Sequence, residues 1–156
     1  MLPAVEMYER LLRHRRADVL KILEGLNAEA LNWHPLSDET NSIYALAVHT
    51  LGAERYRIHG QVGGRKIERD RNAEFRATGD DVTALLAQYE AVANESKEIL
   101  ERLVETDMDV LRGQAPDKYT FRWCILHVMA HYAEHVGQMA LTRQLWENRA
   151  SRPHEI

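Results

Sequence analysis

Three histidines stand at four-residue intervals near the end of the chain: His127, His131 and His135, within Leu126-His-Val-Met-Ala-His-Tyr-Ala-Glu-His-Val-Gly-Gln138. Residues at i and i+4 project from one side of a helix, about one turn apart. Two imidazoles so placed can close on one divalent cation, at Zn–N distances of about 2.0–2.1 Å. No glycine or proline interrupts the segment before Gly137, so it can stay helical. Metal ligation is the chemistry that this pattern predicts.

A pair on one helix needs a further ligand from another segment, and His49 is the candidate. Its neighbours Ala45, Leu46, Ala47, Val48, Gly52 and Ala53 are apolar or small, which predicts burial. Alone, His49 would read as a satisfied core histidine; beside the histidine ladder it reads as a ligand. Gly52 and Gly137 each lie within a turn of a proposed ligand. An interior glycine costs about 1 kcal/mol relative to alanine, and close helix approach at a metal would explain both. His131 is central and can pair with His127 or with His135. Whichever histidine is left over stands beside the ligands or faces solvent. His14 in the basic run Arg13–Arg16, His34 before Pro35, His59 at a helix end and His154 in the tail are weaker candidates.

Other metal chemistries fit less well. A di-iron bundle needs Glu-x-x-His on two helices, and that string is absent. His131-Tyr-Ala-Glu134-His135 matches the inverted peptidase pattern His-x-x-Glu-His. The match is short, arises easily in a histidine-rich helix, and leaves little chain for a substrate cleft. Glu134 sits roughly 60° from His131 on the helical wheel, so it stands beside the ligands or in solvent. Cys124 lies two turns before His131, too far from His135 to join it, and reads as a buried thiol.

The elements that must position these residues are helical. The four prolines, Pro3, Pro35, Pro116 and Pro153, fall where periodic segments start or stop. A first helix is predicted from about Pro3 to Gly25, with a buried stripe of Val5, Tyr8, Leu11, Leu12, Val19, Leu20 and Leu23. A polar connection from Asn27 to Asn41 carries Trp33 and His34. The second helix starts at a cap among Thr40, Asn41 and Ser42 and runs to Gly60. Residues Arg65 to Arg76 read as a loop or short irregular helix. There Arg65, Lys66, Arg69, Arg71 and Arg76 either pair locally or offer a cradle for an acidic cosubstrate. The third helix opens at Gly79-Asp80-Asp81 and buries Val82, Leu85, Leu86, Tyr89, Val92, Ile99, Leu100 and Leu103. A loop from Thr106 to Lys118 precedes a last helix, capped near Thr120 and ending about Arg149. No convincing strand is present. The expected architecture is an all-α four-helix bundle with long connections between helices 1-2, 2-3 and 3-4; such bundles build ligand sites from inward side chains.

The bulk properties narrow the function. The 156 residues suit one domain over 1–150 followed by a short tail, 151–156. A net charge of −4 lacks the basic footprint of a nucleic-acid binder. The lone Cys124 excludes an internal disulfide framework and fits a cytoplasmic setting. The N-terminus has no signal-peptide core, and no apolar run approaches the roughly 20 residues of a membrane span. Bundles of this size often pair, so a homodimer is expected.

The segment Thr40-Asn-Ser-Ile-Tyr-Ala-Leu-Ala-Val-His49-Thr-Leu-Gly-Ala-Glu-Arg55 resembles the second helix of the DinB-like superfamily. His127-Val-Met-Ala-His131-Tyr-Ala-Glu-His135-Val-Gly-Gln138, followed by Arg143-Gln-Leu, resembles its last helix. Leu31-Asn-Trp-His-Pro35 and Arg69-Asp-Arg-Asn-Ala-Glu-Phe75 resemble its connecting segments, so the likeness covers nearly the whole chain. It implies a four-helix bundle holding one divalent metal ion per chain, zinc or nickel foremost, through His49, His131 and His135. It leaves His127 and Glu134 as candidates beside those ligands, with Tyr44 and Tyr56 as further acid–base groups. Characterised relatives are transferases or isomerases that use a low-molecular-weight thiol such as mycothiol or bacillithiol. The implied activity is a metal-dependent transferase or hydrolase, above all thiol S-transfer to a small electrophile. Where the family often has His-His-Arg-Gly-Gln, this chain has Glu134-His-Val-Gly-Gln138. The rivals are a non-catalytic, metal-stabilised dimeric bundle acting in stress response or partner binding, and a histidine network without metal.

Overall fold

The computed structural model describes residues 1–36, 39–113 and 118–149; Pro116, Pro153, His154 and the tail at 151–156 lie outside the described residues. Helix α1 (Pro3–Leu23) begins on a proline, whose missing N–H costs nothing in a first turn. A short helix α2 (Ala28–Asn32) interrupts the connection that was expected to be irregular, with the Asn27 side chain accepting from the Ala30 N–H. Helix α3 (Ile43–Glu54) starts on Ser42, whose hydroxyl accepts from Ala45 N–H. It continues as a π-helix over Arg55–Val62, two residues beyond the predicted end at Gly60. A five-residue helix α4 (Arg71–Phe75) follows, then α5 (Thr83–Glu101). The last helix, α6 (Phe121–Glu147), is capped by Thr120 as expected.

The four long helices α1, α3 with its π extension, α5 and α6 form the all-α bundle, and α6 packs on both α1 and α3. One expectation is corrected: a two-residue antiparallel pair, β1 (Leu111–Arg112) with β2 (Tyr119–Thr120), precedes α6. Pairs so short carry no sequence period. Leu12, Leu31, Ile43, Leu46, Ile58, Leu85, Leu100, Ile125 and Met139 fill the core. The connections are tied together by Asn32, whose amide donates to Gly79 O (2.8 Å) while its Oδ1 accepts from Gly79 N (3.1 Å). No helix among the described residues is long and apolar enough to cross a membrane.

The helix faces depart from the apolar stripes in two places. Leu11 and Leu86 are exposed rather than buried, and Arg16, expected in a solvated basic run, is only 5% exposed. The reason is Glu54, which is fully buried on α3. Its carboxylate accepts from Arg16 Nε (3.0 Å) and Nη2 (2.6 Å), from the Tyr132 hydroxyl (2.9 Å) and from the Ser96 hydroxyl. A charge taken from water is tolerated only when its lone pairs are met in this way. The carboxylate thereby joins α1, α3, α5 and α6 at one point.

Candidate metal centre

Helix α3 carries His49, 2% exposed, toward α6, where His131 is half-buried and His135 is buried. The three imidazoles converge: His131 Nε2 lies 3.0 Å from His49 Nε2 and 3.2 Å from His135 Nε2. One ring nitrogen from each lies within 4.8 Å of the other two. Nitrogens held tetrahedrally at 2.0–2.1 Å from zinc are about 3.3 Å apart, so the spacing suits a small divalent ion.

The far sides of the rings decide which nitrogens carry protons. His49 Nδ1 lies 2.8 Å from Glu74 Oε2, and His135 Nδ1 lies 2.7 Å from Gln138 Oε1. Both partners are acceptors, so each Nδ1 carries the proton and each Nε2 presents a lone pair toward His131. A proton on His131 Nε2 can satisfy only one of those lone pairs. A divalent cation satisfies all three nitrogens at once. His131 Nδ1 is also the buried side-chain nitrogen without a hydrogen-bond partner among the described residues. Burial, then the charge its histidine neighbours would carry, pushes the His131 pKa down to about 3. Burial takes His49 down to about 4, against the upward pull of Glu74. Both rings are therefore neutral near pH 7, the form that ligates metal.

Helix α4 supplies the support. Asp70 caps it by accepting from Ala73 N–H (2.9 Å), which turns Glu74 and Phe75 toward α3. Phe75 stacks on the His49 ring at 4.1 Å. Arg69 grips both Glu74 oxygens, Nε to Oε1 and Nη2 to Oε2, each at 2.7 Å. A bidentate pair of hydrogen bonds to a charged partner fixes the carboxylate's orientation. A Cβ on Gly52 would overlap that carboxylate, so the glycine makes room for the Glu74 side chain that α4 brings against α3. At Gly137 a Cβ would meet nothing within 4 Å, so close helix approach does not explain that residue.

The remaining sequence candidates fall elsewhere. His127 stays outside the converging nitrogens, its ring centre 5.8 Å from that of His131 and stacked on Trp123 at 4.6 Å. Glu134 is exposed; the carboxylate that meets a ligand is Glu74, on a segment whose charges gave no sign of which would turn inward. Gln138, at the end of the histidine motif, orients His135. His34 meets Thr40 O, and buried His59 meets Ser96 and Glu95. Tyr44 packs against Gly79, and Tyr56 lies between the Arg57 and Arg69 guanidinium groups. Cys124 is a fully buried thiol, as expected, and burial raises its pKa. In the charged stretch Lys66 pairs with Glu68 and Arg69 with Glu74, while Arg65 reaches Glu95 on α5. On the far side of Gln138 a cleft of about 580 Å³ opens between the 33–41 connection and the second half of α6, walled by Trp33, Leu46, Leu141 and Leu145.

The sequence profile of the family described as Mycothiol-S-transferase matches residues 7–148. The chain belongs to that family, within the DinB-like superfamily. The fold agrees with solved DinB-like structures. A DinB-like protein from Bacillus cereus superposes with a TM-score of 0.73 at 16% identity, covering 91% of this chain and 92% of that one. A conserved protein from Enterococcus faecalis superposes at 0.75 with 12% identity, covering 93% and 98%. At such identities the likeness concerns the fold. No curated protein matches the chain.

Proposed function

We propose that this mycothiol S-transferase family member is a metal-dependent thiol S-transferase. In this reading His49, His131 and His135 hold one zinc or nickel ion, and a small electrophile receives a low-molecular-weight thiol. The observation that carries it is the convergence of three Nε2 atoms, two with their lone pairs directed inward by Glu74 and Gln138. A divalent ion held there would lower the pKa of a bound thiol and polarise an electrophile. Glu74 and Arg69 keep His49 in the ligating tautomer while substrates come and go. Phe75, stacked on His49, keeps water from that side of the ring. His127, half-buried at the edge and less basic than usual through burial and the charges of Arg57 and Arg69, can take the proton of an arriving thiol on a ring nitrogen. A cytoplasmic homodimer belongs to the same proposal, resting on the single buried cysteine and on the tendency of small bundles to pair.

The test is metal content by elemental analysis of tag-free wild type and of His49→Ala, His131→Ala and His135→Ala. About one ion per chain, lost in each variant, is the expected result for a three-histidine site. Metal-dependent consumption of a thiol with a model electrophile then separates the transferase from the inert bundle. A wild type that takes up no metal on reconstitution overturns the reading.

A further inference from the structure

Arg57 is half-buried, its charge acts on His127, one helical turn from His131, and no carboxylate among the described residues pairs with it. Its guanidinium lies 5.4 Å from the Tyr56 ring centre, 5.0 Å from Tyr119 and 5.1 Å from Trp123. Ring contacts stabilise a cation without consuming its N–H donors. Of the five donors an arginine offers, one is used among the described residues, by Gln61 Oε1 at 2.6 Å. Such a group is an anion receptor with no anionic partner among the described residues.

Its position relates it to the cluster. Trp123 stacks under His127, which stands next to His131, so the rings that cradle Arg57 lead along α6 to the ligating nitrogens. The π-helix contributes to that placement. Three α-residues beyond Glu54 would rotate the chain about 300°; the wider i→i+5 turn rotates it less and brings residue 57 nearer the face that carries His49. The Gly63 N–H to Ile58 O bond (2.8 Å) closes one such turn. The charge balance points the same way. Arg69 is neutralised by Glu74, while Arg57 meets no carboxylate among the described residues.

We propose that Arg57 recognises a carboxylate on the small molecule that binds at the histidine cluster, with Tyr119 and Trp123 holding the guanidinium for a two-pronged contact. Arginine suits this role because its planar fork matches both oxygens of a carboxylate. The proposal deepens the transferase reading by naming its substrate class, a carboxylate-bearing electrophile or thiol, but its test uses neither thiol nor turnover.

Succinate, and uncharged succinamide as control, are titrated into purified wild type, Arg57→Lys and Arg57→Met while the Trp123 indole and Arg57 Nε–H signals are followed by NMR. Succinate alone should give saturating shifts in wild type, with affinity about ten-fold weaker in Arg57→Met and intermediate in Arg57→Lys. If Arg57→Met does not fold, Arg57→Lys against wild type carries the comparison, because the lysine keeps the charge and loses the fork. Equal affinity in wild type and variant, or no response in wild type, overturns the proposal. A chain that binds succinate through Arg57 yet transfers no thiol would overturn the transferase reading and sustain this one.

Discussion

The Glu74 carboxylate occupies the space that a side chain on Gly52 would need, one helical turn from His49. Glu74 is buried and gripped by Arg69, so it cannot swing aside freely. Gly52→Ala should therefore displace the carboxylate from His49 Nδ1 and weaken metal binding about 10–100-fold, the usual effect of losing such a partner. The fold should survive, since alanine gains about 1 kcal/mol over glycine in a helix interior. Chelator competition and thermal melts of the metal-free protein check the two halves. Unchanged affinity would mean that Glu74 does not hold the ring.

Gln138 does the same work for His135 from the wall of the cleft. Gln138→Leu should free the His135 tautomer and lower metal affinity about ten-fold or more. Gln138→Glu keeps an acceptor and should restore most of that loss. A leucine variant that binds metal as wild type does would remove Gln138 from the site.

Glu54 holds four helices through partners that include Arg16. Arg16→Met leaves the buried carboxylate without its counter-charge and should cost about 3–5 kcal/mol in urea unfolding. Replacing both members of the pair, Arg16→Met with Glu54→Leu, should cost less than the arginine change alone. A double variant less stable than that single one would show that the pair contributes net stability.

Acid should destabilise the metal-free protein. His49 and His131 have folded pKa values of about 4 and about 3, below the ordinary 6.5 of the unfolded chain. Between those values the unfolded state binds more protons, so stability is present above about pH 6.5 and is lost as pH falls toward 4. Melting temperatures of metal-free wild type should drop through that window, and His131→Asn should show a shallower drop. A flat profile in wild type would mean that the imidazoles are not held neutral.

What the chain's own order determines is local. The four-residue spacing of His127, His131 and His135, the caps at Ser42 and Thr120, and the apolar stripes of the long helices all follow from periods within one helix. These are enough for an all-α bundle and for a candidate metal site on the last helix, and the DinB-like resemblance of His49, His131 and His135 adds which histidines to watch. Tertiary packing decides the rest. His131 meets His49 across 82 residues of sequence, with His135 beside them, because α3 lies on α6, while His127, one turn away, stacks on Trp123 instead. Arg16, Glu54 and Glu74 look like surface charges in the sequence because burial of a charge depends on its partner, and each partner comes from a distant segment. Apolar periodicity records which way a greasy side chain faces. No such period records where a polar group finds the atom that satisfies it.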